Sequence, residues 1–108
     1  MRYADIVKSI QGHNHLVDIV EKHLRGYDYI LKYVEYDNNN HHGEIDLLAI
    51  KDNFINIYEI KTHYCRKNFH KAIHQLHNAK EYVQNIFNPD KINLIYISEK
   101  NVRRIYEN

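Results

Sequence analysis

Two short runs near the middle of the chain mix apolar and polar residues in strand-like fashion, and together they predict a hairpin. Glu44 to Lys51 and Phe54 to Thr62 are the strands, with Asp52-Asn53 as a two-residue turn. That turn sets Lys51 opposite Phe54, and the pairing carried back sets Asp46 opposite Glu59. Ile45, Leu47 and Ala49 are expected on one face, and Leu48, Ile50, Ile55 and Ile57 on the other. Strands apolar on both faces belong inside a sheet covered on both sides.

Helical spacing governs the flanking segments. Tyr3 to Arg25 predicts a helix carrying Ile6, Val7 and Ile10, then Leu16, Ile19, Val20, His23 and Leu24. Gly12 is expected to break or kink it, leaving Asn14 to cap a second helix, and Gly26 is expected to close it in the left-handed conformation. Tyr27 to Tyr36 predicts a strand, and the tract Asp37 to His42 a loop. Asn68 to Phe87 is the clearest helix, with Phe69, Ala72, Ile73, Leu76, Ala79, Val83, Ile86 and Phe87 in one apolar stripe. Lys91 to Ser98 predicts a buried strand. It should lie parallel to the Phe54 strand, because the helix between them makes a crossover. The tail Glu99 to Asn108 is a short helix or an added edge strand. The resulting order is α-β-β-β-α-β: an α/β fold with a mixed central sheet flanked by helices.

Composition narrows the class. The 108 residues suit one domain spanning 1–108, and 44% apolar content fits a folded chain. No apolar run approaches the roughly 20 residues of a membrane span, so no membrane partner is expected. The N-terminus lacks a signal peptide's apolar core, and the lone Cys65 cannot form an internal disulfide. A cytoplasmic location is the expectation. The net charge is +1, but nine histidines can add to it with modest pKa shifts.

The hairpin carries the candidate chemistry. Glu59 and Lys61 share a face, and Asp46 is expected to join them. Like charges set opposite each other weaken a sheet, so two acids among Ile, Leu and Tyr point to a bound cation. Hydrolysis of a phosphodiester needs an activated water and neutralised phosphorus oxygens. A hard divalent ion such as Mg²⁺ or Mn²⁺ supplies both and prefers carboxylates. Asp46 and Glu59 are the candidate ligands. Lys61 is the point charge that orients water or stabilises the transition state.

The pattern Gly43-Glu44-Ile45-Asp46-Leu47-Leu48-Ala49-Ile50, a turn, then Ile57-Tyr58-Glu59-Ile60-Lys61-Thr62 resembles the PD-(D/E)xK nuclease superfamily. Its nearest branches are the nucleases like archaeal Holliday-junction resolvases and the RecB-type nuclease domains. The resemblance implies a restriction-endonuclease-like core and a metal-dependent endonuclease acting on DNA, with a Holliday junction or other branched DNA as the sharpest substrate. It implies Asp46 and Glu59 as metal ligands, Lys61 as the catalytic lysine, and the Ile60 carbonyl as a further ligand. The family often adds a first-helix glutamate. Glu21 is the candidate, with His13 and Asp18 as others. RecB-type members also carry a Gln and a Tyr on the helix after the lysine strand; Gln75 and Tyr82 occur here, two turns apart instead of one. A small core cutting branched DNA favours a homodimer.

A basic stretch follows the lysine strand. Arg66, Lys67, His70, Lys71 and His74 read as a phosphate-facing surface, with Gln75 at its flank and His63 and His77 beside it. His70, His74 and His77 also have zinc-compatible spacing, which keeps a zinc hydrolase as an alternative. His41-His42 borders the acidic strand, and Arg103 and Arg104 are possible backbone contacts. A catalytically idle nucleic-acid-binding or assembly module is the other alternative.

Overall fold

The computed structural model describes residues 3–38 and 41–106. Seven elements follow in order: α1 (Tyr3–His23), β1 (Tyr29–Asn38), β2 (His41–Lys51), β3 (Phe54–Lys61), α2 (Arg66–Phe87), β4 (Lys91–Ser98) and β5 (Val102–Ile105). The strands form one mixed five-stranded sheet in the order β1-β2-β3-β4-β5. All neighbours are antiparallel except β3 and β4, which run parallel on either side of the α2 crossover. The tail is therefore a strand, paired to β4 from Leu94↔Ile105 to Ile97↔Val102.

Each helix covers one face. Leu76, Ala79 and Val83 of α2 pack on Tyr36, Ile45, Leu48, Ile55, Ile57 and Leu94. Val17 of α1, with Leu16 and Val20, packs on Leu47, Ala49, Tyr58, Ile60 and Ile97. This confirms that the hairpin is covered on both sides. Among the described residues no helix is long and apolar enough to cross a membrane.

The helices differ from expectation in instructive ways. α1 runs unbroken through Gly12, since an interior glycine costs only about 1 kcal/mol against alanine and packing outweighs it. Asn14 is not a cap; its Oδ1 accepts a hydrogen bond from the Tyr33 hydroxyl at 3.1 Å. Val7, Ile10 and Ile19 are exposed, and the Ile6 side chain lies outside the described residues. Gly26 does take the left-handed conformation, with φ 81°. In α2, Ile86 and Phe87 lie beyond the packed stripe and are exposed. The helix ends at Asn88, left-handed at φ 45°, whose N–H donates to the Gln84 carbonyl. Cys65 caps the other end, its Sγ accepting from the Asn68 N–H at 3.4 Å.

The Asp52-Asn53 turn sets Lys51 opposite Phe54 as expected, with Asp52 at φ 53°. At the far end of β2 the polar tract is not all loop. Asp37 pairs with His42 and Asn38 with His41, because the β1–β2 ladder extends past the apolar residues. Asn39 and Asn40 lie outside the described residues.

One irregularity positions the site. Ile45 packs with Leu48 on the α2 side, while Leu47 and Ala49 face α1. Strict alternation would put Ile45 with Leu47. The β1–β2 ladder omits Tyr33 and Asp46, and Tyr33 sits at φ 55°. The alternation on β2 thus changes side across Asp46, at the point where the ladder to β1 is interrupted.

Candidate acidic site at the β2–β3 edge

Asp46 and Glu59 are both buried, at 5% exposure each. The paired ladder between their strands stops at Leu47↔Tyr58, one step short of pairing the acids. Asp46 therefore does not sit squarely opposite Glu59 in that ladder. Its Oδ2 accepts the Ile60 N–H at 2.8 Å, so the side chain takes the place of a ladder hydrogen bond.

Glu59 and Lys61 do share a face, and Lys61 Nζ lies 3.3 Å from Glu59 Oε1. The Glu59 carboxyl is nevertheless pushed up to about 8. Burial is the first cause and the Asp46 charge the second; Lys61 and His13 offset only part of it. Lys61 and His13 thus leave the acid pair only partly compensated.

α1 delivers one of the first-helix candidates. His13, on the same helix face as buried Val17, brings Nε2 to 3.0 Å from the Ile60 carbonyl and 3.4 Å from Asp46 Oδ1. Both neighbours are acceptors, so Nε2 carries a proton and donates. The Asp46 hydrogen bond is the main reason the imidazole titrates above its usual range, against an opposing effect of burial.

Of the first-helix candidates, His13 alone reaches the acids. Glu21 and Asp18 both bind Lys32, at 3.3 Å and 3.1 Å, on the way to β1. Eight residues of helix separate Glu21 from His13, about 12 Å of axial rise. An inward-facing histidine one turn before Val17 was the available sequence signal.

α2 places Arg66, Lys67, His70, Lys71 and His74 on its exposed surface. Gln75 is half-buried; its backbone carbonyl accepts from the Tyr36 hydroxyl at 3.4 Å, and its Oε1 is buried without a partner. Tyr82 stacks near Tyr36, with ring centroids 5.5 Å apart. Among the described residues no three His, Cys, Asp or Glu side chains are grouped to hold a metal ion. The oxygen donors available there are the Asp46 and Glu59 carboxyls and the Ile60 carbonyl, with His13 Nε2 donating its proton towards two of them.

Arg103 and Arg104 go to opposite faces of β5. Arg103 lies over the rings of Tyr64 and Phe69, at 5.6 Å and 5.2 Å. Arg104 donates to Asn93 Oδ1 and lies over Tyr106.

Two residues that the sequence reading placed in the Lys91–Ser98 strand without a site role sit beside the site. Tyr96 pairs with Glu59 and Ser98 with Lys61 in the parallel β3–β4 ladder. Both are buried, and their hydroxyls interact with each other. Counting the parallel register from Phe54↔Lys91 would have found them.

No family model matches the chain, and no curated protein matches it either.

Proposed function

We propose that this chain is a metal-dependent endonuclease of PD-(D/E)xK type, with a restriction-endonuclease-like fold, that hydrolyses phosphodiester bonds in DNA. The observation that carries the reading is the pair of buried acids, Asp46 and Glu59, with the Lys61 ammonium 3.3 Å from one of them. Two buried acids that feel each other's charge are costly unless a cation offsets them. Asp46, Glu59 and the Ile60 carbonyl would hold Mg²⁺ or Mn²⁺. When bound, the ion would supply Lewis-acid charge and lower the pKa of a water.

The chain's own groups have separable tasks. The Ile60 N–H fixes the Asp46 carboxylate. Lys61 sets a positive charge where negative charge builds on the phosphorus oxygens. The exposed cations at the start of α2, Arg66, Lys67 and Lys71, with His70 and His74, would meet neighbouring phosphates. Two copies in a symmetric dimer would cut both strands of a branched substrate.

Cleavage of plasmid, single-stranded and four-way-junction DNA with Mg²⁺ or Mn²⁺ tests this. Asp46→Asn, Glu59→Gln and Lys61→Ala should each lower the rate at least a hundredfold. Equal cutting by the wild type and Asp46→Asn would refute it.

His13 favours a second reading, an idle nucleic-acid-binding module. Its imidazole already pairs with Asp46 and the Ile60 carbonyl, satisfying both without an ion. That module would bind the same DNA, with an affinity unchanged by Asp46→Ala, and would leave it intact with every divalent cation.

A further inference from the structure

Among the described residues three non-glycines take the left-handed conformation: Asp52, Asn88 and Tyr33. Asp52 lies in the hairpin turn and Asn88 caps α2, and short polar side chains tolerate that conformation in such places. Tyr33 is a bulky aromatic residue in the middle of β1, where φ 55° is disfavoured. Strain of this kind persists only where the surroundings hold it, and it clusters at functional sites.

The irregularity is matched on the neighbouring strand. Lys32↔Leu47 and Val34↔Ile45 bracket it, so neither strand carries the extra residue of a bulge. On β1, Lys32 reaches Asp18 and Glu21 of α1, and Tyr33 packs in the α1-side cluster, before Val34 returns to the α2 side. On β2, Asp46 meets His13 of α1, and Leu47 packs on α1 as well. Each strand therefore turns two consecutive residues to one face at the same rung, which regular alternation forbids. Pairing can continue on both sides of that rung only if β1 follows the turn that β2 makes. α1 holds Tyr33 there: its hydroxyl donates to Asn14 Oδ1 at 3.1 Å, and Asn14 adjoins the His13 that contacts Asp46.

We propose that Tyr33 is a positioning residue for the acidic site: its left-handed backbone, and not its ring, keeps the Asp46 carboxylate out of the β1–β2 ladder and on the Ile60 N–H. The inference deepens the nuclease reading above and rests on it for the effect on turnover, while the geometry it asserts is measurable without any metal.

Each variant is read twice. In EDTA, the Ile60 amide proton in proton–nitrogen correlation spectra reports the Asp46 contact, with Asp46→Ala marking the position of the amide without it. With Mn²⁺, kcat and KM on DNA report the site. Tyr33→Val, whose branched side chain excludes a positive φ, should move the Ile60 amide to its Asp46→Ala position and lower kcat roughly a hundredfold, the scale of a slightly misplaced catalytic group, with KM little changed. Tyr33→Gly accepts a positive φ freely and should keep the amide in place and restore most of the rate, although it lacks the whole ring. A role in packing alone predicts the reverse order, with glycine the worst. Tyr33→Ala also lacks the ring but disfavours a positive φ, so it should fall between the two; alanine against glycine decides the matter even if Tyr33→Val fails to fold. Equal behaviour of Tyr33→Ala and Tyr33→Gly, or a wild-type amide position in Tyr33→Val, would overturn the proposal.

The two readings fail separately. An Ile60 amide that follows the order valine, alanine, glycine in a protein that cuts no DNA with any divalent cation keeps the Tyr33 role and removes the nuclease. Cleavage that Asp46→Asn abolishes and Tyr33→Val leaves intact keeps the nuclease and removes the Tyr33 role.

Discussion

Glu59 is the residue whose environment conflicts most with its chemistry. Its carboxyl is buried beside a second acid and titrates near 8, whereas in an unfolded chain it titrates near 4.5. Between those values the folded protein holds a proton that the unfolded chain has released. Unfolding therefore releases protons, and stability falls as pH rises from about 4.5 to about 8. Glu59→Gln removes this dependence. In EDTA at pH 8 the variant should be more stable than the wild type by roughly 1–3 kcal/mol, and the gap should close near pH 4. Urea titrations at both pH values check it, and a gap independent of pH would contradict it.

Secondary-structure elements show where a motif residue serves geometry. Gly43 in β2 pairs with Tyr36 of β1. A Cβ on Gly43 would lie 2.5 Å from Tyr36 Cζ, and Tyr36 is only 6% exposed, with its hydroxyl bonded to α2. The ring has no room to retreat. Gly43→Ala should cost about 2 kcal/mol, within the range for overpacking, and disturb the Tyr36–Tyr82 contact. Thermal unfolding and near-ultraviolet circular dichroism would detect both effects. An unchanged Tm would mean that β1 and β2 adjust more easily than the burial of Tyr36 implies.

Across the whole molecule, two helices clamp one sheet from opposite sides, and the acidic site is built from the sheet and the α1 layer. β2 brings Asp46, β3 brings Glu59, Ile60 and Lys61, and α1 brings His13. A divalent ion binding there would link these layers and stabilise only the folded chain. At a hundredfold excess over its Kd, Mn²⁺ should add about 2.7 kcal/mol to the wild type and little to Asp46→Asn. Chemical denaturation with and without Mn²⁺ measures this, and an equal gain in both proteins would place the ion elsewhere.

The chain order decided what depends on neighbours a few residues apart. The two-residue turn at Asp52-Asn53 set the β2–β3 register, the apolar stripe of α2 set its inner face, and the crossover length made β3 and β4 parallel. It also put Glu59 and Lys61 on one face. Folding in three dimensions settled the rest. Tyr33 is left-handed, the β1–β2 ladder skips Asp46, and the Asp46 carboxylate takes the Ile60 N–H, none of which an alternation pattern records. His13 contacts a carbonyl 47 residues away because α1 packs across β3. Periodicity encodes which way a side chain points within its own element; which atom it then meets depends on how separate elements dock.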